Sequence, residues 1–204
     1  MKKNLTKEQI VETTLNLMRN KIDLRGLNLR QIARTLGCAH TNLYNYFPSY
    51  NDLLWETHME IQKIFMDMLI KKLETAKTAD QRLAYFFQAF AEMYLDIKGW
   101  FWFSWHEHID GTRPQKDVEL LEQINQKMNQ YITEIWREIY GHSPNAGAIK
   151  QVLHNTHCYI LGEVSNHILG RGLIENEDAL KAYIGREATN MFRLCLAEIH
   201  SDRI

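Results

Sequence analysis

Two arginines and a run of short polar side chains near the start of the chain are the residues whose types and spacing suggest chemistry. Arg30 and Arg34 lie one helical turn apart, and a guanidinium is a rigid fork of donors suited to phosphate oxygens or a guanine edge. His40, Thr41, Asn42 and Asn45 follow within a few residues. Their donors and acceptors are of the kind that reads base edges in a major groove. Such reading requires a rigid corner, an apolar underside and a polar outer face. Gly37 supplies the corner, and Ile32, Ala33, Leu36, Leu43 and Phe47 supply the underside.

The elements that must hold these residues are legible from caps and periodicity. Thr6-Lys7-Glu8-Gln9 is a capping box flanked by Leu5 and Ile10, and the stripe Ile10, Val11, Thr14, Leu15, Met18 continues at helical spacing. Asn28 starts a second helix with Gln31 at its third position, and Gly37 ends it in the left-handed conformation open to glycine. After three residues the spacing predicts a short helix over His40 to Phe47, stopped by Pro48. Ser49 and Asp52 then open a long helix from Tyr50 to about Leu73. Two helices around a glycine-containing turn form a helix-turn-helix, whose second helix enters the major groove.

The string Leu29-Arg30-Gln31-Ile32-Ala33-Arg34-Thr35-Leu36-Gly37-Cys38, followed by Asn42-Leu43-Tyr44-Asn45-Tyr46-Phe47-Pro48-Ser49-Tyr50-Asn51-Asp52-Leu53-Leu54, resembles the DNA-binding domain of the tetracycline-repressor (TetR) family of bacterial regulators. The likeness covers residues 5 to 55, about a quarter of the chain. It implies a homodimer with two recognition helices about one DNA turn apart, and a C-terminal domain that binds a small molecule. By position it assigns DNA contacts to His40, Thr41, Asn42 and Tyr44, with Arg30 contributing from the preceding helix and Tyr44 gripping the backbone. Two residues depart from the family pattern. Ala39 stands where a capping serine is usual, and Tyr50 where a phosphate-binding lysine is usual; Tyr50 could still hydrogen-bond a phosphate, without the charge.

Charge is distributed unevenly. Residues 1–55 hold eight Lys or Arg, including Lys2, Lys3 and Lys7, against four acids, although the whole 204-residue chain carries −1. A positive head on a negative body suits a module that meets phosphate. The composition is that of an ordinary globular protein, 45% hydrophobic and 24% charged, which argues against disorder. No apolar run is long enough for a membrane span, and no signal peptide precedes Thr6, so a cytoplasmic location without membrane association is expected.

Other reactive residues are scattered. Cys38, Cys158 and Cys195 form no CxxC pair and read as reduced, mostly buried thiols. His106, His108 and Asp110, with His154 and His157 later, would need to converge to hold a metal, and hydrogen-bonding roles are expected instead. No nucleophile elbow, phosphate loop, HExxH or paired Cys is present. The expectation is therefore no enzyme, no cofactor and no metal.

Helical periodicity continues over Ala79 to Ile97, Gln115 to Tyr140, Ala146 to Leu169 and Asp178 to His200, so the fold class expected is all-α. Six of the twelve residues from Tyr94 to Trp105 are aromatic. They fit either core packing or a cavity wall. In the second case Phe86, Phe90, Met93, Trp100, Phe103 and His157 would form a pocket for an apolar or aromatic effector. The last two helices are apolar on more than one face. Ile160, Val164, Ile168, Met191, Leu194 and Cys195 are expected to pair with a second chain in a four-helix bundle, with Gly162 permitting close approach. The organisation expected is a helix-turn-helix domain over residues 1–50 and an effector-binding and dimerisation domain over 51–204, acting as a repressor on double-stranded operator DNA.

Overall fold

In the computed structural model, residues 5–201 are described, with 199–201 through their backbone alone; Lys2 and Lys3 and the side chain of Ile199 lie outside the described residues. The described residues are helical throughout and contain no strand: α1 (Lys7–Met18), α2 (Leu29–Leu36), a 3₁₀ helix (His40–Asn45), α3 (Tyr50–Glu74), α4 (Ala79–Asp96), α5 (Lys98–His106), α6 (Gln115–Tyr140), α7 (Ala146–Ile168) and α8 (Glu177–Ser201). None of these helices is long and apolar enough to cross a membrane. The chain divides into two compact units. The first takes residues up to Phe65 together with Ile97–Leu121, and the second takes Met66–Asp96 with the chain from Glu122 onward. The division therefore differs from a cut at residue 50, because α5 and the start of α6 join the head.

The first unit begins as the capping signals dictate. Thr6 accepts from the Gln9 N–H at 3.2 Å and the Gln9 side chain returns the bond at 3.1 Å. Ile10, Met18, Ile32, Leu43 and Leu53 are fully enclosed at its centre. α5 is an element that periodicity did not reveal. It lacks a side-chain cap at Ile97 and is apolar on most sides, so neither of the usual signals marks it. What holds it is α1. The Gly99 N–H donates to the Arg19 carbonyl at 3.0 Å, the Trp100 indole N–H donates to the Leu15 carbonyl at 2.8 Å, and the Arg19 guanidinium lies 5.7 Å from the Trp100 ring.

The second unit packs α4, α7 and α8 together with parts of α3 and α6. An aromatic chain runs through it: Phe86 meets Phe87 edge-on at 5.2 Å, Phe87 meets Phe192 at 5.2 Å, and Trp136 closes on Phe192 at 6.0 Å. Gly185 lets α8 approach α4, since a Cβ there would lie 3.1 Å from the Gln88 side chain. Ion pairs rim the packing, Arg193 with Asp80 at 2.6 Å and Lys72 with Glu92 at 2.5 Å.

Candidate nucleic-acid interface

The helix-turn-helix is built from its caps. The Asn28 side chain accepts from the N–H groups of Arg30 and Gln31 at 3.0 and 3.1 Å, satisfying donors that a helix start leaves free. At the other end Gly37 has φ 70°, and the Cys38 N–H returns to the Ala33 carbonyl at 2.9 Å. This left-handed closure turns the chain abruptly into the next element.

That element is a 3₁₀ helix over His40–Asn45 rather than an α-helix to Phe47. Ala39 offers no side-chain cap, and the six residues are closed by the three-residue bonds Asn42 N–H to Ala39 C=O and Tyr46 N–H to Leu43 C=O, each 3.0 Å. Without a cap and with Pro48 close behind, the tighter winding suffices for so short a piece. Leu43 and Phe47 anchor it, 0% and 3% exposed. Tyr46, which the sequence did not single out, donates its hydroxyl to the Leu5 carbonyl at 2.6 Å and ties the segment to the chain start.

Arg30, Arg34, His40, Thr41, Asn42, Tyr44 and Asn45 are all exposed. Among the described residues none of these seven side chains makes a hydrogen bond or ion pair. The molecule thus carries a row of donors and acceptors, unengaged and mounted on an apolar base.

Tyr50 is placed differently from the phosphate role expected of it. Its hydroxyl donates to the Leu27 carbonyl at 2.8 Å, and burial, with the Glu107 charge as a lesser cause, pushes that hydroxyl up to about 12. The phenol braces the start of α3 against the lead-in to α2, so its one proton is already committed. Ser49 and Asp52 cap α3 as the sequence suggested, with the Asp52 N–H donating to Ser49 Oγ at 3.1 Å.

The remaining candidates divide between the two units. Of the expected effector residues, Phe86, Phe90, Met93 and His157 belong to the second unit, and Trp100 and Phe103 to the first. Phe90 and His157 are in ring contact at 5.1 Å, and the Tyr94 hydroxyl is hydrogen-bonded to His157 Nε2 at 2.9 Å. Of the expected dimer residues, Ile160 and Val164 are 0% exposed within a single chain. They face α7's own core and have no surface left for a partner. Ile168, Met191 and Cys195 are half-buried, and Leu194 is 65% exposed. Cys158 is exposed rather than buried, because it lies on the outer strip of α7 with His154 and Gly162. Among the described residues no three His, Cys, Asp or Glu side chains converge on a metal geometry, and His108 and Asp110 face each other, exposed, at 3.8 Å.

No family model and no curated protein matches the sequence. Solved structures do match the fold. A TetR-family transcription regulator from Marinobacter aquaeolei VT8 superposes with TM-score 0.64 at 13% identity, over 91% of this chain and 94% of that one. The fold is that of the TetR-family transcriptional regulators. Two further structures with this TetR fold carry ligands. The regulator FadR from Bacillus subtilis, solved with stearoyl-CoA, matches with TM-score 0.63 at 13% identity over 94% and 98% of the two chains. A protein from Saccharomonospora viridis described as a transcriptional regulator, solved with choline, matches with TM-score 0.65 at 19% identity over 88% and 93%. An acyl thioester and a small cation on one fold leave ligand chemistry to be argued from the side chains of each chain.

Proposed function

We propose that this protein is a sequence-specific DNA-binding transcriptional regulator, a cytoplasmic homodimeric repressor released by a small apolar or aromatic effector. The observation that carries the reading is the unengaged polar row from Arg30 to Asn45, set on the buried Ile32, Leu43 and Phe47. His40, Thr41, Asn42 and Asn45 supply base-edge contacts, while Arg30, Arg34 and Tyr44 supply the phosphate contacts that fix register. Dimerisation uses the outer face of α7 and α8 around Leu194, Met191 and Ile168, where apolar surface remains uncovered. The aromatic group Phe86, Phe90, Met93 and His157 in the second unit supports the effector part of the reading.

The decisive experiment is fluorescence anisotropy with DNA flanking the protein's own gene, against scrambled DNA of equal length. The reading requires at least hundredfold preference for one flanking segment. Equal affinity for both DNAs would reject it.

A further inference from the structure

We propose that the first unit holds a small aromatic carboxylate at a cluster formed by Trp55, His58 and Arg113. This site is additional to the aromatic group of the second unit and rests on the regulator reading only for an effect on DNA.

Trp55, His58 and Gln62 occupy one face of α3 at helical spacing. His58 Nδ1–H donates to Asp117 at 2.8 Å, and Asp117, 1% exposed in the first turn of α6, also accepts from Arg113 Nε at 2.5 Å. The carboxylate is therefore fully occupied, and the imidazole is fixed in one orientation. Around this pair the rings stand edge-on: Trp55 lies 5.9 Å and Phe103 6.3 Å from His58, and the Arg113 guanidinium sits 5.9 Å from the Trp55 ring.

Donors are left over in this neighbourhood. The Trp55 indole N–H is shielded from solvent and has no hydrogen-bond partner among the described residues. Arg113 spends only Nε on Asp117, and its side chain is 40% exposed, which leaves its outer edge open. A buried N–H without an acceptor costs roughly 1–3 kcal/mol, so the cluster is unsatisfied as it stands. Both leftover groups, the Trp55 indole N–H and the outer edge of Arg113, only donate, so the complementary ligand supplies acceptors. The surrounding surfaces are aromatic, so its body is a flat ring. A carboxylate matches the free edge of a guanidinium with two parallel bonds, and the ring then lies beside Trp55 and Phe103.

The site also lies within reach of the head. Its α3 residues follow the recognition segment on one continuous helix, and Phe103 sits on the helix bonded to α1 through Gly99 and Trp100.

Isothermal titration of the full chain, without DNA, with benzoate, phenylacetate and 1-naphthoate tests the assignment, with benzamide and benzylamine as neutral and cationic controls. At least one carboxylate should bind saturably at one per chain, with the neutral control at least tenfold weaker and the cation weaker still. Trp55→Phe and Arg113→Gln should each lower the affinity at least tenfold, and Arg113→Lys should recover part of it. Should Arg113→Gln fail to fold, Trp55→Phe with Arg113→Lys carries the test. The proposal is overturned if no carboxylate binds, if benzamide matches benzoate, or if the variants bind as the wild type does. Carboxylate binding by a protein that ignores DNA would reject the regulator reading and leave this site standing.

Discussion

The Tyr94 hydroxyl and His157 Nε2 are hydrogen-bonded across 2.9 Å inside the second unit. Burial, with His154 as a smaller contributor, pushes His157 down to about 4. The folded state therefore binds fewer protons than the unfolded chain wherever an ordinary histidine is charged. This contribution to stability is complete above pH 6.5 and is lost as pH falls toward 4, to a limit on the order of 3 kcal/mol. Urea titrations at steps from pH 7.5 to 4 should show that decline. In His157→Gln, which keeps a hydrogen-bonding group opposite Tyr94, the decline should be shallower by about one proton; an unchanged slope would place the titrating group elsewhere.

Gly99→Ala should destabilise the first unit severely. A Cβ at this position would stand 1.8 Å from the Met18 carbonyl oxygen and 2.8 Å from the Lys21 nitrogen. Both are backbone atoms that no rotamer change can move. Overpacking commonly costs about 1–3 kcal/mol, and the upper end or beyond is expected here. Thermal unfolding by circular dichroism measures it.

At the reading face, Asn42→Ala and His40→Ala should each weaken specific DNA binding by about 1–3 kcal/mol while leaving scrambled DNA nearly unaffected. Arg34→Ala should weaken both alike and flatten the salt dependence. Anisotropy at three salt concentrations separates the two classes of contact.

Leu194 and Val164 should respond differently to a charge. Leu194 is 65% exposed, so Leu194→Glu should fold and sediment as a monomer. Val164 is wholly enclosed, so Val164→Asp should unfold the second unit through an unpaired buried charge. A folded, dimeric Leu194→Glu would move the pairing surface off this face.

Helix starts were legible where a side chain announces them, as at Thr6, Asn28 and Ser49, because a cap is a local contact between residues two or three apart. α5 was not, since Gly99 and Trp100 are held by α1 residues some eighty positions earlier. The exposed row His40 to Asn45 could be read from its underside, because Leu43 and Phe47 leave only one way for the polar groups to face. The role of Tyr50 could not: a phenol in sequence looks the same whether its proton goes to a phosphate or to the carbonyl of Leu27. The apolar positions of α7 were recognisable as such, but composition alone could not tell which side of the helix its own chain would cover, and Ile160 and Val164 fell on the covered side.

The seating of α5 on α1 bears on descent. A position where any side chain meets backbone, followed by an indole whose N–H is spent on Leu15, tolerates almost no drift, while the exposed row around Asn42 is free to change with each new target. Over long divergence the Gly99-Trp100 pair should therefore outlast the reading residues. Kin too remote for whole-sequence comparison would be traced better by that dipeptide, set some eighty residues beyond a capping-box helix, than by the exposed row from Arg30 to Asn45.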